Sequence, residues 1–185
     1  SLNQLKGSAM ATKGLWFRNV DLHVHTPGSE CFLNKEVTPE QIVQQAIAAG
    51  MDAIAITDHN TGSWVDRVKN AAAGTTLTVF PGVEITVQPG VHVLAIFQET
   101  KYGEHITDLL AELGINADNR GKSEAVVTRY GIQEVVSRIK QRGALPILAH
   151  IDTVKGAWTE LRNSGQTFSQ LWDSREFVAV EIVGD

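Results

Sequence analysis

Two rhythms of apolar and polar residues alternate along this 185-residue chain. Short runs of aliphatic and β-branched residues are separated by stretches whose apolar positions recur three and four apart. Phe17–Val24, Ala53–Thr57, Leu77–Val83, Val91–Phe97, Leu145–Ala149 and Val178–Val183 read as strands. Ala53–Thr57 has almost no polar position, as expected of a strand buried on both faces. Thr38-Pro39-Glu40-Gln41 reads as a helix start. Thr38 can cap, Pro39 suits the first helical position, and Gln41 falls where a capping box places its return bond. Ile42, Ala46, Ile47 and Ala49 supply that helix's apolar stripe, and Gly50 ends it. Further helices are expected over Ser63–Ala73, Glu104–Leu113 and Ile132–Gln141, each followed closely by glycine, with a short one marked by Phe168, Leu171 and Trp172. Thr26–Val37 reads as a loop. Ile115–Tyr130 is polar and unpatterned, and reads as an irregular or mobile connection. Ser1–Gly14 lack periodicity and are set aside as a tail, with Met10 as the native start and Ser1–Ala9 left over from expression. The folded domain is expected over residues 15–185.

Strands alternating with helices predict parallel pairing through helical crossovers, hence an α/β barrel or an open doubly wound sheet. A full eight-stranded barrel takes about 250 residues. With six strand-like runs, this chain fits a smaller or incomplete barrel.

Histidine placement changes the picture from fold to chemistry. Five of the six histidines sit in or at the end of strand-like runs: His23 and His25 in Asp-Leu-His-Val-His-Thr, His59 in Ile-Thr-Asp-His, His92 in Val-His-Val-Leu, and His150 in Ile-Leu-Ala-His. Residues i and i+2 of a strand share a face, so His23 and His25 project together. Glu84 follows Phe-Pro-Gly-Val and is a candidate bridging carboxylate. Imidazole with carboxylate is the ligand set of hydrolytic Zn, Mn or Fe sites, and so many donors suit two or three ions. Asp21 and Asp58 immediately precede site residues, and are expected to support the ligands through hydrogen bonds rather than to bind metal. His105 reads as a surface residue.

Composition narrows the alternatives. A net charge of −5 argues against a broad basic face for nucleic acid. The basic residues Arg129, Arg138, Lys140 and Arg142 read as a solvated helix face. A single cysteine, Cys31, excludes an internal disulfide. With no signal peptide and no apolar run long enough to cross a bilayer, a cytoplasmic protein that does not engage membranes is expected. No phosphate-binding glycine-rich loop and no Ser-His-Asp order is present.

In order, His23-Val24-His25, Thr57-Asp58-His59, Gly82-Val83-Glu84, His92 and Ala149-His150-Ile151-Asp152 resemble the signature of the PHP (polymerase and histidinol phosphatase) family, over about Val20 to His150. This resemblance implies a distorted (β/α)7 TIM-like barrel with a trinuclear metal centre at its rim, serving phosphoester hydrolysis. Carried over, His23, His25 and Glu84 match ligands of one ion, and Glu84, His92 and His150 those of a second. His59 matches the third, together with a residue of the loop after His25 that is usually Asp or His. Glu30 is preferred there over Cys31. The family's closing Asp-x-His pair has no match after His150, so the barrel is expected to be incomplete at its C-terminal end. The resemblance implies a small phosphorylated substrate or nucleotide, or nucleic acid reached through a larger DNA-processing or ATPase-associated protein. Amidohydrolases also begin with His-x-His, but the lysine they carry at a middle strand end has no counterpart here.

Overall fold

The computed structural model describes residues 18–153, 156–163, 165 and 177–184. It is an α/β fold of seven strands and five helices among these residues, in the order β1 (Val20–Val24), α1 (Pro39–Ala48), β2 (Ala53–Ile56), α2 (Val65–Ala72), β3 (Thr78–Val87), β4 (Val91–Ile96), α3 (Gly103–Glu112), β5 (Val126–Val127), α4 (Ile132–Gln141), β6 (Leu145–Leu148), α5 (Ala157–Asn163) and β7 (Ala179–Val180). Thr38 caps α1 as expected: its hydroxyl accepts from Gln41 N–H, and the Gln41 side chain accepts from Thr38 N–H. The expected tail and the helix around Phe168, Leu171 and Trp172 lie outside the described residues.

The sheet runs β1-β2-β3-β4-β6-β7, with β5 paired to β3. β1, β2 and β3 are parallel, and so are β6 and β7. The expectation of parallel strands throughout is corrected at β4, which is antiparallel to both β3 and β6. Only Gln88–Gly90 separate β3 from β4, and a parallel crossover needs a dozen residues or more. The simple strand–helix alternation of a (β/α)7 barrel is therefore broken at this hairpin. β1 and β7, at opposite ends of the path, line one cavity of about 470 Å³ together with Leu94 and Ile147, so the sheet curls round on itself.

Alternation sorts the side chains into two cores. Ala55, Leu94, Ile96, Ile147 and Ala149, with Leu22 and Phe80 against them, pack inside the curl. Their odd-numbered or even-numbered neighbours, among them Ile54, Ile56, Val83, Ile85, Val93 and Leu148, face the helices in the larger outer core. That outer core also holds Leu109, Val136 and Ile139, all fully buried, where truncation to alanine costs about 2–5 kcal/mol. The interior is narrow: a Cβ on Gly82 would stand 2.8 Å from Thr57 Cγ2.

The connection after α3 is ordered against the rim. Gly121 N–H donates to His59 O at 2.9 Å, and Glu30 N–H donates to Gly121 O at 2.8 Å. Gly121 has φ +80, and a Cβ there would meet Gly28 O at 2.7 Å, so only glycine fits this strap.

Candidate metal centre

The site side chains gather at one rim of the sheet, on its strands or just past their ends. On β4, His92 shares a face with Leu94 and Ile96; on β3, Glu84 shares one with Phe80 and Gly82. His92 begins β4, but β4 runs antiparallel, so its start meets the rim formed by the ends of β1, β2 and β6. The β1–β2 register shifts between Asp21 and Val24. Leu22 packs in the inner core and Val24 against the outer one, so this irregularity turns His23 and His25 together into the rim. His59 follows β2 and forms an isolated bridge with Glu84. His150 follows β6 with φ +29, a sparsely populated conformation for a side-chain-bearing residue.

Five imidazoles converge on Glu84, whose carboxylate is 1% exposed. Oε1 lies 2.6 Å from His92 Nδ1 and 3.1 Å from His150 Nε2. Oε2 lies 3.2 Å from His23 Nε2, 3.2 Å from His25 Nε2 and 3.0 Å from His59 Nδ1. Ser29 Oγ donates to Asp58 and accepts from His59 N–H, so toward His25 Nδ1, at 3.0 Å, it can only accept. His23 Nδ1 likewise faces an acceptor, Glu181 Oε2, at 2.8 Å. Both rings are thereby held with Nδ1 protonated. In the neutral tautomers, Nε2 of each aims a bare lone pair at the same point, 3.2 Å from the other. His59 Nδ1 and Glu84 Oε2 are buried without a hydrogen-bond partner. Lone pairs converging on a carboxylate in a buried site call for a cation, and imidazole with carboxylate is chemistry that divalent metals fit. Ligand atoms of His23, His25 and Glu84, and of His59, Glu84 and His92, lie within 4.8 Å of one another, as holding an ion requires.

Protonation follows from the same geometry. Burial disfavours a charged His23, but hydrogen bonds to Glu181 and Glu84 and their negative charges outweigh it and raise its pKa to about 10. A proton on His23 thus supplies the positive charge when no metal does. Burial and the surrounding imidazoles lower His59 to about 4, against the pull of Glu84. Burial also works against the Glu84 charge. The close approach of His150, His23, His25 and His92 nevertheless holds its carboxyl well below the usual range.

His23, His25, His59, Glu84, His92 and His150 are thus brought together, and together line an open cavity of about 370 Å³ with Glu181 and Val183. Glu30 is not among them. It is exposed, and its carboxylate belongs to no ligand-like group among the described residues, whereas the neighbouring Cys31 lies near His25 and His59. Asp58 is fully buried, accepts from Thr26 and Ser29, and reaches His25 only through Ser29. Asp21 accepts from the backbone N–H of His23 at 3.0 Å. His105 lies away from the centre, where its Nδ1 accepts from Tyr102 N–H. Arg138 and Arg142 pair with Glu112. Sequence reasoning missed Glu181, which also accepts from His150 N–H at 2.8 Å. The signal was available: Glu181 follows the apolar run Val178–Val180, much as Glu84 follows its own strand residues.

A family model described as PHP domain matches residues 21–182. The chain belongs to the PHP domain family. Over 131 residues this PHP domain is 28% identical to an error-prone DNA polymerase of Symbiobacterium thermophilum, an alignment covering 71% of the chain and 12% of the polymerase. Over 68 residues it is 38% identical to a 5'-3' exoribonuclease of Escherichia coli, covering 36% of the chain and 22% of that enzyme. The PHP domain therefore spans only a small part of the curated relatives it matches. A solved structure described as a metal-dependent phosphoesterase of Bifidobacterium adolescentis shares the fold, with TM-score 0.57 and 18% identity over 89% of this chain and 77% of that one. Among the described residues, no helix is long and apolar enough to cross a membrane.

Proposed function

We propose that this PHP domain is a phosphoesterase that hydrolyses a phosphate ester or diester at a centre of two or three divalent ions, Zn, Mn or Fe. The observation that carries the reading is the convergence of five imidazoles on the one buried carboxylate of Glu84. His23, His25 and Glu84 would hold one ion, and Glu84, His92 and His150 a second, with Glu84 between the two. His59 belongs to the same cluster through Glu84 and His92. Such ions supply Lewis acidity toward phosphoryl oxygens and a water nucleophile at neutral pH. The protein's own part is orientation. Glu181 and Ser29 fix the ring tautomers of His23 and His25, and the curl of the sheet leaves the cluster open to solvent on one side. The polymerase and exoribonuclease relatives favour a nucleotide or nucleic-acid phosphoester over other substrates. The single exposed cysteine suits a reducing, cytoplasmic setting.

The test is metal analysis of the purified chain, followed by hydrolysis of p-nitrophenyl phosphate, bis-p-nitrophenyl phosphate and 5'-labelled oligonucleotides by metal-loaded protein. Metal-dependent release of product from at least one substrate is expected. Absence of bound divalent metal under metal-replete conditions contradicts the proposal. A second reading is favoured by the 12% share of the polymerase that this domain matches: a metal-binding module within a larger DNA-processing protein, with little activity of its own. Stoichiometric metal without turnover on any of these substrates supports that reading.

A further inference from the structure

We propose that Asn60 is a positioning residue of the centre: its side-chain amide clamps the connection after α3 onto the turn that carries His59, so that metal occupancy and the order of residues 121–127 are coupled. This inference rests on the reading of the cluster as a metal centre. It assigns a role to a residue that is not itself a ligand.

The backbone at Asn60 is built for a sharp turn. Its φ is +49, in the left-handed region. Asparagine and aspartate are among the few side-chain-bearing residues that adopt it readily. Asn60 is fully buried. Its backbone N–H donates to Glu84 O at 2.9 Å, and Glu84 N–H donates to Asp58 O at 3.2 Å. The turn after β2 is thereby pinned to the strand that carries the central carboxylate, across the His59–Glu84 bridge.

The side chain reaches the other way. Asn60 Nδ2 spends both hydrogens on one distant segment, donating to Lys122 O at 2.8 Å and to Ala125 O at 2.9 Å. Its Oδ1 is left buried without a partner, so the amide is placed for what it donates. Two more bonds hold the same segment. Gly121 N–H donates to His59 O at 2.9 Å, and Thr86 Oγ1 donates to Ser123 O at 2.8 Å. Val126 and Val127 then pair with Thr86 and Val87. A polar, unpatterned stretch is therefore ordered by hydrogen bonds to residues that flank the ligands His59 and Glu84.

Coupling follows from that arrangement. The clamp holds the His59 turn where Nδ1 stands 3.0 Å from Glu84 Oε2. An ion held by His59, Glu84 and His92 needs that placement, so it binds the clamped arrangement in preference to the open one. Linkage is reciprocal: whatever factor the clamp adds to ion affinity, the ion adds to the order of the clamped segment.

The experiment measures both sides of this linkage, by chelator competition for zinc affinity and by hydrogen exchange of residues 121–127 in the stripped and zinc-loaded chain. Zinc should slow exchange there, and Asn60→Gly should remove that protection and weaken one ion by about 10- to 100-fold. Glycine keeps the left-handed backbone and the bond to Glu84 O but lacks the amide. Asn60→Asp keeps volume and backbone preference, yet its carboxylate cannot donate to two carbonyls, so it should behave as the glycine variant does. Wild-type affinity in Asn60→Asp would show that backbone conformation alone matters and would overturn the inference. Zinc binding that leaves exchange of residues 121–127 unchanged in the wild-type chain, or wild-type affinity in Asn60→Gly, overturns it as well, and each leaves the centre standing. Failure of the wild-type chain to bind zinc overturns the centre and this role together.

Discussion

Glu84→Gln isolates the role of the central carboxylate, because it keeps side-chain volume and removes charge. Glu84 touches five imidazoles, Oε1 facing His92 and His150 and Oε2 facing His23, His25 and His59. An amide there presents an N–H2 on one side in place of an acceptor, and takes the anion away from every ion it contacts. Removing one partner of a buried, hydrogen-bonded charge pair costs about 3–5 kcal/mol. At about 1.4 kcal/mol per factor of ten, the most tightly coupled ion is expected to bind about 10²- to 10⁴-fold more weakly. Chelator competition followed optically gives the dissociation constants, and mass-spectrometric metal analysis gives the stoichiometry. Hydrolysis of the phosphate esters should fall in parallel. Affinity within a few-fold of wild type, with unchanged stoichiometry, would refute the claim that Glu84 organises the centre.

Four further outcomes follow from the structure. Glu181→Gln weakens the hold on the His23 ring and on its tautomer, so metal affinity should drop about 10- to 100-fold with the fold intact by circular dichroism; wild-type affinity contradicts that role. Because the His23 pKa in the metal-free protein is about 10, loading at pH 7.5 should expel about one proton from it. Calorimetry in buffers of different ionisation enthalpy measures this, and buffer-independent heats would count against it. The same raised pKa makes the His23 proton a stabiliser of the stripped protein. Its contribution is complete below about 6.5 and lost as pH rises through about 10, so the urea midpoint should fall across that window. Thr38→Ala removes the α1 cap and should cost about 1 kcal/mol in chemical denaturation, an unchanged midpoint being the contrary result.

What could be read without coordinates was what local chemistry decides. The Thr38 cap and the ends of α1, α3 and α4 follow from rules acting over a few residues. The common aim of His23 and His25 follows from strand geometry, and the joint order of the histidines pointed to one centre. Strand direction was harder. Val91–Ile96 looks the same whichever way it runs, and the informative feature was the three-residue gap before it, too short for a crossover. β3 was read as ending at Val83 because Glu84 and Thr86 interrupt its apolar run, whereas both belong to the strand and face inward. Glu181 was passed over because its partner His23 lies 158 positions away, beyond any local rule. Glu30 and Cys31 stand side by side in a loop tied to Gly121 and Lys35, so which of them faces the histidines depends on tertiary contacts that no local rule reads.

Anomalous diffraction from crystals of the metal-loaded chain, collected at the zinc, iron and manganese edges, tests the central claim most directly. Peaks are expected between His23, His25 and Glu84, and beside Glu84, His92 and His150. No anomalous density within bonding distance of Glu84 in protein soaked to saturation would contradict it.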